Sequence, residues 1–303
     1  MEIRNLTADH LDGALALSTL MGWNQRLEDW RRLIDLAPSG TFMALDDGRV
    51  IATAIGIDYG HCGWIAMMLV APEYRGRGLG AQLLEAAMAA IPADRPIRLD
   101  ATPLGRPLYE RHDFALETSL TRYVGTCPRG RPLRDQGALL GQVHRQPGTG
   151  AVPGITGQVS PLVPVDLPEV ARSDEEIFGG VRSRLLERIH AAGPQYAWRA
   201  GAAPMQYCLG RTGRLFDQIG PIVATAAPSA IALASAALPA AKGRPVVVDA
   251  YDEHEDFTAW LRASGFEAQR PLYRMRRGNR GAPTTPRTDA RLTEFAILGP
   301  EFG

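Results

Sequence analysis

The chain has 303 residues, and its 33 basic side chains balance 33 acidic ones, for a formal charge of zero, with 45% of residues hydrophobic. A neutral field gives no electrostatic reason to bind nucleic acid or an anionic lipid surface. No apolar run is long enough to span a bilayer, and Met1-Glu2-Ile3-Arg4 opens a strand pattern and not a signal peptide, so a cytoplasmic protein without membrane partners is expected.

That length suggests two domains, each able to bury a core. Near the N-terminus, helix patterns over Leu11–Leu20 and Leu27–Leu36 are broken by Met21-Gly22-Trp23-Asn24. Trp64-Ile65-Ala66-Met67-Met68-Leu69-Val70 carries no charge and suits a strand buried on both faces, and Pro72, which cannot donate to a ladder, marks its end. From Gly78 onward Leu79, Leu83, Ala87 and Ile91 recur every four residues, with Leu84 and Met88 alongside, as the apolar stripe of a helix.

The joint between them, Arg75-Gly76-Arg77-Gly78-Leu79-Gly80, therefore lies at a helix N-terminus, where unpaired N–H groups and the helix dipole favour an anion. Three glycines let the backbone approach a bulky diphosphate, and Arg75 and Arg77 add positive charge. The spacing is not the G-x-G-x-x-G of a dinucleotide loop. Gly80 is followed by Ala81-Gln82, not by the Lys-Ser/Thr of a nucleotide-triphosphate loop, so NAD and ATP are disfavoured.

Arg75-x-x-Gly78-x-Gly80 after a strand ending Val70-x-Pro72 resembles the acetyl-CoA loop of the GCN5-related N-acetyltransferases (GNATs). Two further pieces follow in that family's order. Ile97-Arg98-Leu99-Asp100-Ala101 reads as the next strand, and Pro107-Leu108-Tyr109-Glu110-Arg111-His112-Asp113-Phe114 is similar to the family's helix-to-strand corner, with Asp113 in place of its usual glycine. Asp tolerates the left-handed conformation better than most residues. The resemblance covers roughly residues 1–126.

Residues 127–163 are rich in Gly and Pro and read as a linker with one short element at Ala138–Val143. The first pattern then returns. Arg95–Ala101 is echoed by Arg244–Ala250, the corner at Phe114 by that at Phe266, and the strand end Val70-Ala71 by Val223-Ala224, at separations of 149, 152 and 153 residues, which indicates duplication. The second copy lacks the cradle: Thr225-Ala226-Ala227-Pro228-Ser229-Ala230-Ile231 has neither its glycines nor its arginines, and Leu261 stands where the first copy has Tyr109. Asp174, Phe178-Gly179, Arg182 and the ending Phe295–Gly303 are similar to a bacterial group in which an active acetyltransferase domain precedes a degenerate one.

The expected architecture is α/β (α+β): two tandem GNAT-like domains, each a mixed, mainly antiparallel twisted sheet flanked by helices. Residues 1–126 form the acetyl-CoA-binding domain, 127–159 a linker, 160–276 the degenerate domain and 277–303 a tail with a docking strand at Phe295–Leu298. As the only lysine, Lys242 reflects the Arg bias of a GC-rich bacterial genome.

The resemblance implies a transferase that passes the acetyl group of acetyl-CoA directly to a primary amine. By the same resemblance, the main chains of Met68, Leu69 and Val70 contact pantetheine, Arg75, Gly76, Arg77, Gly78, Leu79 and Gly80 hold the pyrophosphate, and the Tyr109 phenol protonates the leaving thiolate. For the base, Asp58, His61 and Asp100 lie near the ends of strands bordering the expected cleft, none preferred, and a water chain is the alternative. Trp23, Trp30 and Tyr59 are candidates for an acceptor wall. The acceptor is expected to be a small molecule and the chain a monomer or homodimer. A protein N-terminus or lysine as acceptor, or a non-catalytic acyl-CoA-binding module, is the alternative. Cys62, Cys127 and Cys208 are odd in number and widely spaced, and with six scattered histidines they give no metal site.

Overall fold

The computed structural model describes residues 2–126, 159–201, 205–278 and 292–303; the short element expected at Ala138–Val143 lies outside them. The first half runs β1 (Glu2–Asn5), α1 (Leu11–Leu20), α2 (Leu27–Leu36), β2 (Thr41–Asp46), β3 (Arg49–Asp58), β4 (Gly63–Val70), α3 (Leu79–Ala89), β5 (Ile97–Ala101), α4 (Arg106–Glu110) and β6 (Ala115–Thr126). The second runs β7 (Ser160–Pro161), α5 (Leu167–Phe178), α6 (Ser183–Ala192), β8 (Trp198–Ala200), β9 (Gln206–Thr212), β10 (Asp217–Ala224), α7 (Ala227–Ala237), β11 (Pro245–Tyr251), α8 (Glu255–Ala263), β12 (Glu267–Arg277) and β13 (Thr293–Ala296).

β3 and β4 are buried along almost their whole length because helices cover both faces of the sheet. On one face Leu79, Leu83, Leu84 and Ala87 of α3 pack against Ala52, Ala54 and Ile65. The helix lies so close that a β-carbon on Gly56 would sit 2.0 Å from the Ala87 carbonyl oxygen. On the other face Leu17, Trp30 and Leu33 of α1 and α2 share one core with Phe178, Leu185 and Ile189 of α5 and α6, and with Leu298 and Phe302 of the last segment. Ile91 lies past the end of α3 but is buried in the same cluster as its stripe.

All the described strands belong to one sheet, in the order β1-β2-β3-β4-β5-β12-β6-β11-β13-β10-β9-β8-β7. The two halves exchange their last long strands: β12 inserts between β5 and β6, and β6 pairs with β11. Each half has one parallel junction, held by two residue pairs. These are Gly63–Ile97 and Trp64–Arg98 between β4 and β5, and Asp217–Val246 and Gln218–Val247 between β10 and β11. In the second half β13 lies in the fork beyond the junction, with Val223 opposite Glu294 and Ala250 opposite Ala296. Among the described residues no strand lies in the corresponding fork of the first half. None of the described helices is long and apolar enough to cross a membrane.

Candidate active site

β4 is irregular where the fork opens. Thr53 faces Leu69 but Ile55 faces Ala66, so one extra residue bulges from β4, and Met67 takes a φ of +51°. A left-handed backbone at a residue with a side chain is costly, and such residues cluster at sites of function. The conformation is held by the Thr53 hydroxyl, which donates to the Met67 carbonyl at 2.8 Å. Beyond Trp64 the β5-facing edge of β4 has no strand partner among the described residues, which leaves alternate main-chain groups there for another molecule.

This fork opens into a cavity of about 370 Å³. Met67, Met68, Asp100 and Tyr109 line it from the first domain. Trp23, Asn24 and Gln25 enter from the connection between α1 and α2, and Phe216, Arg270 and Glu301 come from the second half of the chain. Tyr109 is 7% exposed, with its ring edge-on to Phe114 at 5.9 Å between centroids. Its hydroxyl has no partner among the described residues, and burial pushes its pKa well above the ordinary phenol value, so it stays protonated at neutral pH. The corner beneath it turns through Asp113 at φ +63°, and the second copy has Gly265 at φ +87° in the matching place.

The glycine loop sits beyond the outer end of β4. Gly76 and Gly78 take φ values of +73° and +81°, and Gly78 is the N-cap of α3. The first backbone bonds of the helix run from the Ala81 and Gln82 amides to the Gly78 carbonyl, and the amides of Gly76 to Gly80 have no backbone acceptor among the described residues. Arg75 donates to the Val70 carbonyl at 3.2 Å, whereas Arg77 donates to the Glu73 carbonyl at 3.0 Å and lies over the Tyr74 ring. Both are exposed, and this loop does not line the enclosed part of the cavity. Of the residues singled out from sequence, the cavity therefore gathers Met68, Tyr109, Asp100 and Trp23. Leu69 and Val70 continue the same strand toward the loop.

The side of the cavity away from β4 is built between the halves. The Asn24 amide donates to the Phe216 carbonyl at 3.0 Å, and its Oδ1 accepts from the Leu215 and Phe216 amides at 2.8 and 3.0 Å. Arg214 reinforces this by donating twice to the Trp23 carbonyl. The turn between β9 and β10 is thereby fastened over the first domain. Glu301 reaches the cavity because Leu298 and Phe302 on either side are fully buried and Trp64 Nε1 donates to the Pro300 carbonyl at 3.1 Å. Its carboxylate pairs with Arg211, which also holds Asp29 at 3.0 Å. Burial raises the Glu301 carboxyl above the usual carboxylate range against the opposing pull of Arg211.

Several sequence-based candidates fall elsewhere. Trp30 is fully buried, with Nε1 donating to the Ser18 hydroxyl, and Tyr59 is buried against Phe178 and donates to the Phe302 carbonyl at 3.2 Å, so both are core residues and not walls of the cavity. Asp58 and His61 are exposed at the opposite end of β3 and β4, where Asp58 accepts from the Gly60 amide and His61 lies 3.3 Å from Glu175. Asp100 does line the cavity, but both its oxygens accept from Arg274 at 2.9 Å. Sequence reasoning missed Glu301, Asn24, Gln25, Phe216 and Arg270 as cavity residues, since their placement depends on pairings between distant segments.

Comparison with known proteins agrees with this fold. Residues 13–114 match the model of the acetyltransferase (GNAT) family, and residues 170–288 match that of an acetyltransferase (GNAT) domain. The chain is 25% identical over 269 residues to YitH of Bacillus subtilis, described as an uncharacterised N-acetyltransferase, covering 88% of this chain and 87% of that one. A Pyrococcus horikoshii crystal structure, provisionally named an acetyltransferase, superposes with a TM-score of 0.72 at 20% identity, over 100% of this chain and 95% of the other. A tandem GNAT protein from the clavulanic acid biosynthesis pathway superposes with a TM-score of 0.59 at 17% identity, over 91% and 98% of the two chains.

Proposed function

Because the chain belongs to the GCN5-related N-acetyltransferase family and carries two domains of that type in tandem, we propose that its N-terminal domain uses acetyl-CoA to acetylate a primary amine on a small molecule. The observation that carries the assignment to one half is the contrast between the two forks. The first opens into a cavity lined by Tyr109, and the second is filled by β13.

The residues present suit an acyl-CoA. The edge of β4 from Met68 to Val70, without a strand partner among the described residues, suits pantetheine amides, and the loop offers a pyrophosphate the N–H groups of Gly76 to Gly80 and the two exposed cations Arg75 and Arg77. Bound there, acetyl-CoA supplies an activated acyl group. Met67 and Met68 of the bulge line the cavity, and a main-chain N–H there would stabilise charge on the thioester oxygen. Tyr109 keeps its proton at neutral pH and hydrogen-bonds the departing sulfur. The amine must be neutral to attack, and Glu301, a carboxylate of raised pKa on the cavity wall, accepts its proton.

The small-molecule reading rests on the turn clamped by Asn24 and on the tail residues Pro300 and Glu301, which wall in the acceptor side where a peptide would have to lie extended. The test is release of CoA thiol with a panel of small amines, peptides with free N-termini and lysine peptides, followed by product mass. Transfer to small amines is expected. Transfer to peptides alone would replace the acceptor class, and tight CoA binding without turnover would favour a regulatory module.

A further inference from the structure

We infer that the acetyl acceptor carries an oxyanion, a carboxylate or phosphate, near its amine, and that Arg270 with Gln25 recognises it; this deepens the transferase reading above and rests on it.

The cavity is lined by four charged residues, Asp100, Arg122, Arg270 and Glu301. Three are neutralised by partners. Asp100 is held by Arg274, Arg122 donates twice to Asp249 at 2.7 Å, and Glu301 pairs with Arg211. Arg270 has no ion pair or hydrogen bond among the described residues, and its Nε is buried without an acceptor. It also lies directly opposite Arg122 in the ladder between β12 and β6, where like charges repel. Burial first, and then Arg122, lower the Arg270 pKa, while Asp249 and Glu301 pull the other way. A half-desolvated guanidinium beside a second cation and without a counter-ion is destabilising unless something else supplies the anion.

Local geometry turns this group toward the cavity. The β12–β6 register slips between Ala268 and Arg270, so Gln269 is an extra residue on β12, the kind of bulge that re-aims side chains beside active sites. Gln25, only 6% exposed, lines the same cavity, and its Oε1 has no partner among the described residues. Its amide can present N–H groups to an oxyanion or oxygen to the amine. The planar fork of Arg270 matches carboxylate and phosphate oxygens two at a time. The pyrophosphate of acetyl-CoA is not the anion in question, because its cradle at the start of α3 lies outside the enclosed cavity.

The experiment compares acceptors that differ only in the anion: an amino acid, its amide and the matching alkylamine in one series, and phosphoethanolamine against ethanolamine in another. With the wild-type protein and acetyl-CoA, oxyanion-bearing amines of at least one series are expected to exceed their neutral partners in kcat/KM by about tenfold or more. Whichever series shows the preference identifies the oxyanion. Arg270→Gln should erase it through KM, and Arg270→Lys should keep part of it, with thermal unfolding of both variants followed to confirm folding. Equal use of neutral amines, or an equal loss for every acceptor in Arg270→Gln, would overturn the inference and leave the transferase reading standing. Transfer to none of the amines, peptides included, would overturn the transferase reading itself and this inference with it.

Discussion

Asp100 and Arg274, from opposite halves of a duplicated chain, face each other across β5 and β12 and form a bidentate ion pair with both contacts at 2.9 Å. The duplication repeats the pair in reverse. Asp249, 149 residues after Asp100, is held at 2.7 Å by Arg122, which lies 152 residues before Arg274. Each half thus supplies the arginine that neutralises the other's buried aspartate, on the strand that it exchanges. The two halves should therefore unfold in a single transition. Arg274→Ala should destabilise the whole chain by about 3–5 kcal/mol, because it leaves Asp100 buried and unpaired. Calorimetry checks this, and two separate transitions would contradict it.

Tyr109→Phe removes a hydroxyl that has no partner among the described residues, so the melting temperature should change little. Turnover should fall by about 10²-fold if the phenol donates to the leaving sulfur. A variant with full turnover across the pH range would remove the assignment.

The two loops before α3 and α7 offer a matched comparison. Gly78→Val puts a branched side chain at φ +81° in the middle of the cradle and should raise KM for acetyl-CoA sharply. Ala226→Val, at the exposed N-cap of α7, should leave that KM unchanged. Ser229 would be a poor control because it is fully buried. Steady-state kinetics with acetyl-CoA as the varied substrate decides the point.

Asn24 makes three hydrogen bonds to the turn at Leu215 and Phe216, so Asn24→Ala should cost about 1–3 kcal/mol and loosen the acceptor wall. Gly213→Val should act similarly, since a β-carbon there would lie 2.2 Å from the Asn24 amide nitrogen. For both variants KM for the amine should rise more than KM for acetyl-CoA, and the reverse order would place the acceptor elsewhere.

Glu301 accepts a proton only when ionised, and its pKa is raised by burial. Activity should fall as pH drops through that raised value, at a higher pH than an ordinary carboxylate near about 4.3 would give. Glu301→Gln should lower kcat and abolish this acid limb. An unchanged limb in the variant would assign it to another group, such as the acceptor amine.

What could be read from the sequence was what local pattern encodes. The run from Trp64 to Ala89 shows strand, loop and helix in its period and its glycines, and the corner at Tyr109 and Asp113 repeats at Leu261 and Gly265. The exchange of β6 and β12 has no such local signal, because the alternation of a strand encodes which face is buried and not which strand lies beside it. Its trace was the repeated Leu-x-Arg at Leu120–Arg122 and Leu272–Arg274, which marks both arginines as equivalent without showing which aspartate each would meet. Aromatic residues misled for a related reason. Trp23 and Trp30 sit on neighbouring segments of one helical hairpin, yet Trp30 is buried in a core that includes Phe178 and Phe302 from the second half, while Trp23 lines the cavity. Glu301 was invisible as a cavity residue because its place depends on β13 entering the second fork and carrying the chain back to the first.

The central claim, that one fork is a binding site and the other is filled by the chain itself, is tested most directly by the stoichiometry of CoA binding in a calorimetric titration of the full chain. One CoA per chain is predicted, with binding lost or severely weakened in Gly78→Val. Two per chain, or one that survives unweakened in Gly78→Val, would contradict it.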